Sequence, residues 1–471
     1  MPFPTMLQGM QALGLSFALI SGSAMAQDAA PATTPAPSTA TPDQDAPSSE
    51  AVAAFVSQYI SPTTPISASG PHGAPPPRTT MTGDWGGLRT RINDAGVTLR
   101  GDYVSESFAV VDGGQRRGTS YAQQIRWGAD FDMGRIAGWK GTSVHVTFND
   151  RRGVGTSSDF VGNRLPIQED YGGLYTRLTE ASIEQVLDGG RLDIRIGFFA
   201  MGNDLGGLAM GCNFVNAAFC AHALSLSGDS GWYNYPNARW GGAVRYRLRP
   251  DITFRTGVYQ VNPSLGDEAN AFKPFAAGTT GALIPFEVEY DPGVRPGSRV
   301  LPGHYKLGAY YDTSRVAREA ETGTVKGRYG VYVLADQMIW REANPARGLS
   351  IFGEYTAQPA VSAQITRWYG AGLLKTGTFK GRDADTIGLG FIYAKLNPRL
   401  RAAHEATSVT SPTGGQQLLF GEAVVEASYG IQVRPWLNVR PDIQYVIDPG
   451  AFSYKHIPNA LAVGTQVRSQ F

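Results

Sequence analysis

The sequence predicts an all-β protein, an antiparallel transmembrane β-barrel. Three observations carry that reading: long two-residue alternation, a composition of aromatics and turns, and an export signal with no helical span after it. The alternation is plainest in EAVVEASYGIQVRPWLNVRPDIQY, from Glu422 to Tyr445. One set of alternate residues is Ala423, Val425, Ala427, Tyr429, Ile431 and Val433; the set between them is Glu422, Val424, Glu426, Ser428, Gly430 and Gln432. After Arg434-Pro435-Trp436 the pattern resumes, Leu437, Val439, Ile443, Tyr445 and Ile447 against Asn438, Arg440, Asp442 and Gln444. A period of two gives a sheet one apolar and one polar face. Pro441 interrupts it, since proline removes a ladder hydrogen bond and belongs at a bulge or a strand end.

Further strands follow the same rule. QIRWGADFDM sets Ile125, Trp127, Ala129 and Phe131 against Arg126, Asp130 and Asp132. Asp188-Gly189-Gly190 is a hairpin signal, and its second arm opposes Leu192, Ile194, Ile196 and Phe198 to Arg191, Asp193 and Arg195. RWGGAVRYRLRPDITFRTGVYQ repeats the theme, with Val244, Tyr246 and Leu248 opposite Arg245 and Arg247. Strands are also expected at HYKLGAYYD, RYGVYVLADQMIW, LSIFGEY, TIGLGFIYA and ALAVGTQVRSQF, and alternation is read to begin at TGDWGGLRTRINDAGVTL. Sheets this numerous need closure to avoid bare edges.

Composition agrees. Glycine is 58 of 471 residues, aromatics are 11%, and charged residues only 17%, against about a quarter in ordinary soluble domains. Such a chain has many turns and strands of aromatic, half-buried character.

The export signal is ALGLSFALISGSAMAQ, an apolar run closed by Ala24-Met25-Ala26, although no Lys or Arg precedes it. Residues 1–26 are read as a signal peptide, and no later stretch approaches the ~18 apolar residues of a membrane helix. Residues 27–80, rich in Pro, Ala, Ser and Thr, lack the apolar surface to fold alone and read as a disordered periplasmic spacer. One short helix is expected there, in SSEAVAAFVSQYI. Cys212 and Cys220 are the only cysteines; in an exported chain they read as a disulfide, with a pair of buried thiols as the other reading.

The polar alternates are bulky and ionised, while the apolar alternates end in tyrosine and tryptophan near turns. A lipid-facing band with aromatic girdles around a wet lumen accounts for that pairing. The apolar face is therefore assigned to lipid, and the charged face to water. Residues 81–471 carry 40 basic and 36 acidic groups, 40 − 36 = +4, too little to suggest a nucleic-acid partner.

Seven segments in order resemble the carbohydrate-selective porins of the OprB family: TGDWGGLRTRINDAGVTL, YGGLYTRLTEASIEQVLDGGRLDIRIGFF, CNFVNAAFC, WYNYPNARWGGAVRYR, PGHYKLGAYYD, LADQMIWRE and EAVVEASYGIQVRPWLNVRPDIQYVIDPG. The resemblance covers residues 82–471. It implies an outer-membrane barrel of about sixteen strands, whose inward-folded loops narrow a channel for sugars such as glucose. The implied partners are small neutral sugars and outer-membrane lipid, with a homo-oligomer compatible; no cofactor or metal is expected.

Sugars donate and accept hydrogen bonds, so a sugar lumen mixes Arg donors with carboxylate acceptors. By alternation the lumen candidates are Arg126, Asp130, Glu180, Glu184, Arg195, Arg245, Glu422 and Glu426. Asn213 or Asn216 is expected to face solute from a disulfide-pinned loop. Trp232 and Tyr233 are candidates for stacking on a pyranose face, or else anchors at the membrane interface. Two other functions fit the composition: a general or weakly anion-preferring porin, and an exported soluble sugar-binding protein or glycosidase. Against a glycosidase, Glu180/Glu184 and Glu422/Glu426 would each stand ~13 Å apart along a strand. Paired glycosidase carboxylates sit ~5–9.5 Å apart.

Overall fold

The computed structural model describes residues 80–471 apart from 221, 294–297, 345–346 and 410–418. The signal peptide, the spacer up to residue 79 and its expected helix lie outside the described residues.

Sixteen strands close into one antiparallel barrel. They are β1 (Val97–Asp112), β2 (Gly118–Asp132), β3 (Thr142–Gly153), β4 (Thr176–Leu187), β5 (Leu192–Phe199) and β6 (Arg239–Arg249). Next come β7 (Ile252–Val261), β8 (Gly281–Tyr290), β9 (Gly303–Ala317), β10 (Thr324–Arg341) and β11 (Gly348–Ala357). The last five are β12 (Ile365–Thr376), β13 (Thr386–Leu396), β14 (Gly421–Arg434), β15 (Leu437–Ile447) and β16 (Ala460–Gln470). Every strand pairs with its sequence neighbours, and β1 joins β16 in the register Tyr103↔Ser469 and Glu106↔Gln466. Closure leaves no free edge.

Alternation fixes the faces as read. Glu422, Glu426 and Ser428 of β14 point inward and are buried, whereas Ala427 is exposed on the outer wall. Leu307 and Ile196, 61% and 57% exposed to the surroundings, stand on that outer wall. Tyrosine ladders share it, such as Tyr355–Tyr369–Tyr393 with ring centroids 5.4 and 6.2 Å apart. Among the described residues no helix is long and apolar enough to cross a membrane.

Pro441 is accommodated by a local gap. The β14–β15 pairs run to Ser428↔Asp442 and resume at Ile431↔Val439, so Pro441 falls where the ladder is silent. Pro285 of β8 is handled the same way, between Thr256↔Phe286 and Tyr259↔Leu283. Each proline shows its missing N–H to a neighbour that asks for none.

Two departures from the alternation stand out. TGDWGGLRTRINDAGVTL is not strand from its start: α1 (Leu88–Asp94) precedes β1. Gly87 holds φ +91° just before that helix, a left-handed turn that suits glycine. Asp84 Oδ1 ties the turn by accepting from Thr90 N and Oγ1, both at 2.8 Å.

The second departure is inside the barrel. The connections 154–175, 200–220 and 222–238, at the end opposite the termini, fold into the lumen. Leu165, Ile167, Phe214, Phe219, Leu226 and Trp232 bury there against inward-facing Phe352, Tyr332, Ile392, Val424 and Val446. Each such side chain contributes roughly 1.5–3 kcal/mol by leaving water. Much of the lumen is thus a hydrophobic core.

Candidate functional site

The inward loops are held by carboxylates on the barrel wall. Glu422 accepts from the backbone N–H of Arg164 at 2.8 Å and of Leu165 at 2.7 Å. Glu426 accepts from Val215 N at 2.6 Å and Asn216 N at 3.0 Å. Glu287 of β8 takes Gly206 N at 2.8 Å, and Asp312 of β9 takes Gly231 N at 2.7 Å. Glu106 of β1 takes Asp170 N at 3.1 Å. The reverse contact also occurs: Asp229, on the second loop, accepts from Gln364 N and Ile365 N at 2.7 and 2.9 Å. A loop carries backbone donors that must be paired once buried, and the wall carboxylates pair them. Cys212 and Cys220 are bonded, tightening the segment that Glu426 holds.

Between loops and wall lies a cavity of about 380 Å³. Four arginines line it: Arg126, Arg151, Arg177 and Arg468. Three have carboxylate partners. Arg126 Nε meets Asp102 Oδ1 at 2.5 Å, Arg468 bonds Glu169, and Arg151 Nη2 stands 3.4 Å from Asp170 Oδ1. Arg177 makes no ion pair among the described residues; it donates to Asn237 Oδ1 at 2.5 Å and to Gly173 O at 3.1 Å, and lies 3.9 Å over the Tyr175 ring. Tyr171, Tyr233 and Tyr235 add rings to the lining, and Asn149 Nδ2 donates to the Tyr235 hydroxyl at 2.7 Å. The lining holds four arginines against two acids, Asp102 and Glu169, so 4 − 2 = +2 faces the cavity.

Of the residues singled out from the sequence, Arg126, Trp232, Tyr233 and the disulfide's Cys220 reach this cavity. Trp232 offers no free face: it is 1% exposed, inside the barrel, with its ring centroid 5.9 Å from those of Tyr310 and Tyr332. It is a packing residue rather than a stacking platform or an interface anchor. The Tyr233 ring is covered by the Arg239 guanidinium at 3.5 Å. Asn216 does not face solute either. It is fully buried, with Nδ2 donating to Gln444 Oε1 at 2.9 Å. Asn213 Nδ2 turns back to Met210 O at 3.1 Å.

The remaining charged candidates face inward but lie off the cavity, taken up by other charged groups or by the loops. Glu180 bonds Arg195 at 2.5 Å, and Arg195 reaches Asp204 at 3.1 Å. Asp130 bonds Arg100 and His145 at 2.7 and 2.6 Å. Glu184 stands 3.7 Å from His145, and Arg245 bonds Asp193. Glu422 and Glu426, expected to line water, are instead sealed beneath the loops. The sequence reading missed Arg151, Arg177 and Arg468, although alternation past His145, Thr147 and Asn149 already turns Arg151 inward. Among the described residues no group of three His, Cys, Asp or Glu is placed to hold a metal ion.

Loop docking carries a pH dependence. Burial pushes Asp170 up to about 7, against Arg151 and helped by Glu169; burial also pushes Asp204 up to about 7, against Arg195. Asp229 rises to about 6 by burial, opposed by its two backbone bonds. Released loops would expose these acids at their ordinary values near 4. Between that value and about 7, docked loops therefore hold more protons than released ones, and raising the pH through this window weakens docking. Single-channel records are expected to show steady small currents at pH 5 and more excursions to larger conductance at pH 8; identical records would contradict this.

Residues 116–471 match the family model described as carbohydrate-selective porin, OprB family. The chain is 32% identical to Porin B of Pseudomonas aeruginosa over 419 residues, 83% of this chain and 91% of that protein. It is 28% identical over 424 residues to the putative porin QuiX of Acinetobacter baylyi, 83% of this chain and 93% of that one. Its fold matches the high-pH structure of Pseudomonas putida OprB with a TM-score of 0.77 at 30% identity, covering 83% of this chain and 98% of the other.

Proposed function

The chain belongs to the OprB family of carbohydrate-selective porins, and from that premise we propose that its arginine-lined cavity is where sugars are selected. The protein is a porin of the Gram-negative outer membrane, a channel for carbohydrates. We read it as a passive path and not an enzyme: no bond in the solute is made or broken. The observation that carries the selection site is the pinned pair of loops, which leaves a small polar cavity beside a hydrophobic core inside the barrel.

A solute there meets donors on Arg126, Arg151, Arg177 and Arg468, acceptors on Asp102 and Glu169, and tyrosine rings for its C–H faces. Ion pairing within the lining tempers each contact. Permeation needs that balance, because a solute must be admitted and then released. In a planar bilayer the purified protein is expected to show small conductance that falls as glucose or a related monosaccharide is added. Ion current unchanged at saturating sugar would remove the reading.

A second reading, weak anion preference, is favoured by the +2 balance of the lining. It predicts a reversal potential shifted toward the anion in a salt gradient, and it is compatible with sugar passage.

A further inference from the structure

A feature the channel does not use lies on the outer wall. Around the start of β1, Trp85, Leu99, Trp127, Phe131, Phe148 and Phe471 wall a groove of about 560 Å³. Gly101 lets the Phe471 ring pack directly on the β1 backbone, since a Cβ there would meet that ring at 2.6 Å. The groove sits at the end that holds both the first and last strands' termini and the tight turns at 188–191, 250–251 and 435–436. Short turns mark the periplasmic side of such barrels, and the leaflet on that side is phospholipid.

Two arginines reach the groove. Arg100 is turned to the lumen, with Nε 2.7 Å from Asp130. Arg89 of α1 is not. It is 7% exposed, its Nη2 donates to Thr82 Oγ1 at 3.1 Å, and its guanidinium lies 4.3 Å over the Trp85 ring. Its Nε has no hydrogen-bond partner, and it makes no ion pair among the described residues. Asp84, whose field reaches it, gives Oδ1 to Thr90 instead. A buried guanidinium without a direct ion-pair partner is costly, and a phosphate suits its planar fork.

The geometry points to a glycerophospholipid at this place: one acyl chain in the aromatic groove and its phosphate at Arg89. The apolar walls alone would take any hydrocarbon, and the arginine alone any anion. A lipid with a charged phosphate satisfies both at once.

Native mass spectrometry of the detergent-purified barrel, with added phosphatidylglycerol, diacylglycerol of the same chains, or inorganic phosphate, tests this. One phosphatidylglycerol should be retained per barrel, diacylglycerol at least tenfold more weakly, and phosphate alone should not raise the melting temperature. Arg89→Ala should lower phosphatidylglycerol retention at least tenfold while conductance and sugar block stay unchanged. Leu99→Trp, on a wall position already exposed, should fill the groove and displace lipid with Arg89 intact. Equal retention of the two lipids, stabilisation by phosphate alone, or unchanged retention in both variants would overturn the proposal. So would a larger assembly that Leu99→Trp dissociates, which would assign the groove to a second copy.

Discussion

Replacing Glu422 and Glu426 together by alanine is expected to raise single-channel conductance several-fold and to abolish block by sugar. The two carboxylates, themselves closed to solvent, hold four backbone donors: those of buried Leu165, Val215 and Asn216 and that of Arg164, whose side chain is exposed. Each orphaned buried donor costs about 1–3 kcal/mol. Three of them, at Leu165, Val215 and Asn216, favour a loop that moves to find water. The loops would gain water for these groups by leaving the wall, and the cavity would lose the side that they form.

The barrel itself should survive, because β14 is held to β13 and β15 by backbone ladders that no side chain supplies. Release will not be complete: Phe214 remains stacked on Phe219 at 4.6 Å, with Phe352 edge-on to both. Glutamine at both positions keeps one acceptor oxygen each and should give an intermediate channel. Retained heat-modifiable migration on gels establishes the folded barrel. Unchanged conductance in the double alanine variant would show that the loops are not held by these groups.

The same two residues show how far the sequence could be read. Period two decides which face a residue takes, and it placed Glu422, Glu426, Glu180, Arg195 and Arg126 on the inner face. It says nothing about what stands opposite that face. Glu422 meets Arg164 from 258 residues away, and Glu426 meets Val215 from 211. Long connections without alternation carry no local signal that they turn inward, so a charged wall was assigned to water where it meets a loop backbone.

Asn216 failed for a related reason. A polar residue in a disulfide loop reads as available, yet burial turned it into a brace on Gln444. The helix at Leu88–Asp94 was missed because its start is made by Gly86 and Gly87 and by the Asp84 side chain, not by apolar periodicity. Most strands, their faces and the tight turns were local and therefore legible, though β3, β8 and β12 were not picked out; contacts between the loops and the wall were not legible.

Arg177→Ala is expected to weaken sugar block about tenfold and to reduce anion preference in the same channel. Its three companions on the cavity have carboxylates beside them; Arg177 has Asn237 and a backbone carbonyl, and its Nε is without a partner. Its charge is therefore the least neutralised in the lining, and a solute oxygen gains most from it. A hydrogen bond to a charged group is worth about 1.5–3 kcal/mol, roughly a tenfold to hundredfold change in affinity. A site that must also release its solute belongs near the lower figure. Arg177→Lys separates the two roles, since an ammonium keeps the charge but not the planar fork. It should restore the reversal potential in a salt gradient while leaving sugar block weak. Block and reversal potential both unmoved in Arg177→Ala would place the selecting contacts elsewhere on the cavity wall, whereas recovery of both in Arg177→Lys would mean that charge alone, and not directional hydrogen bonding, governs what passes.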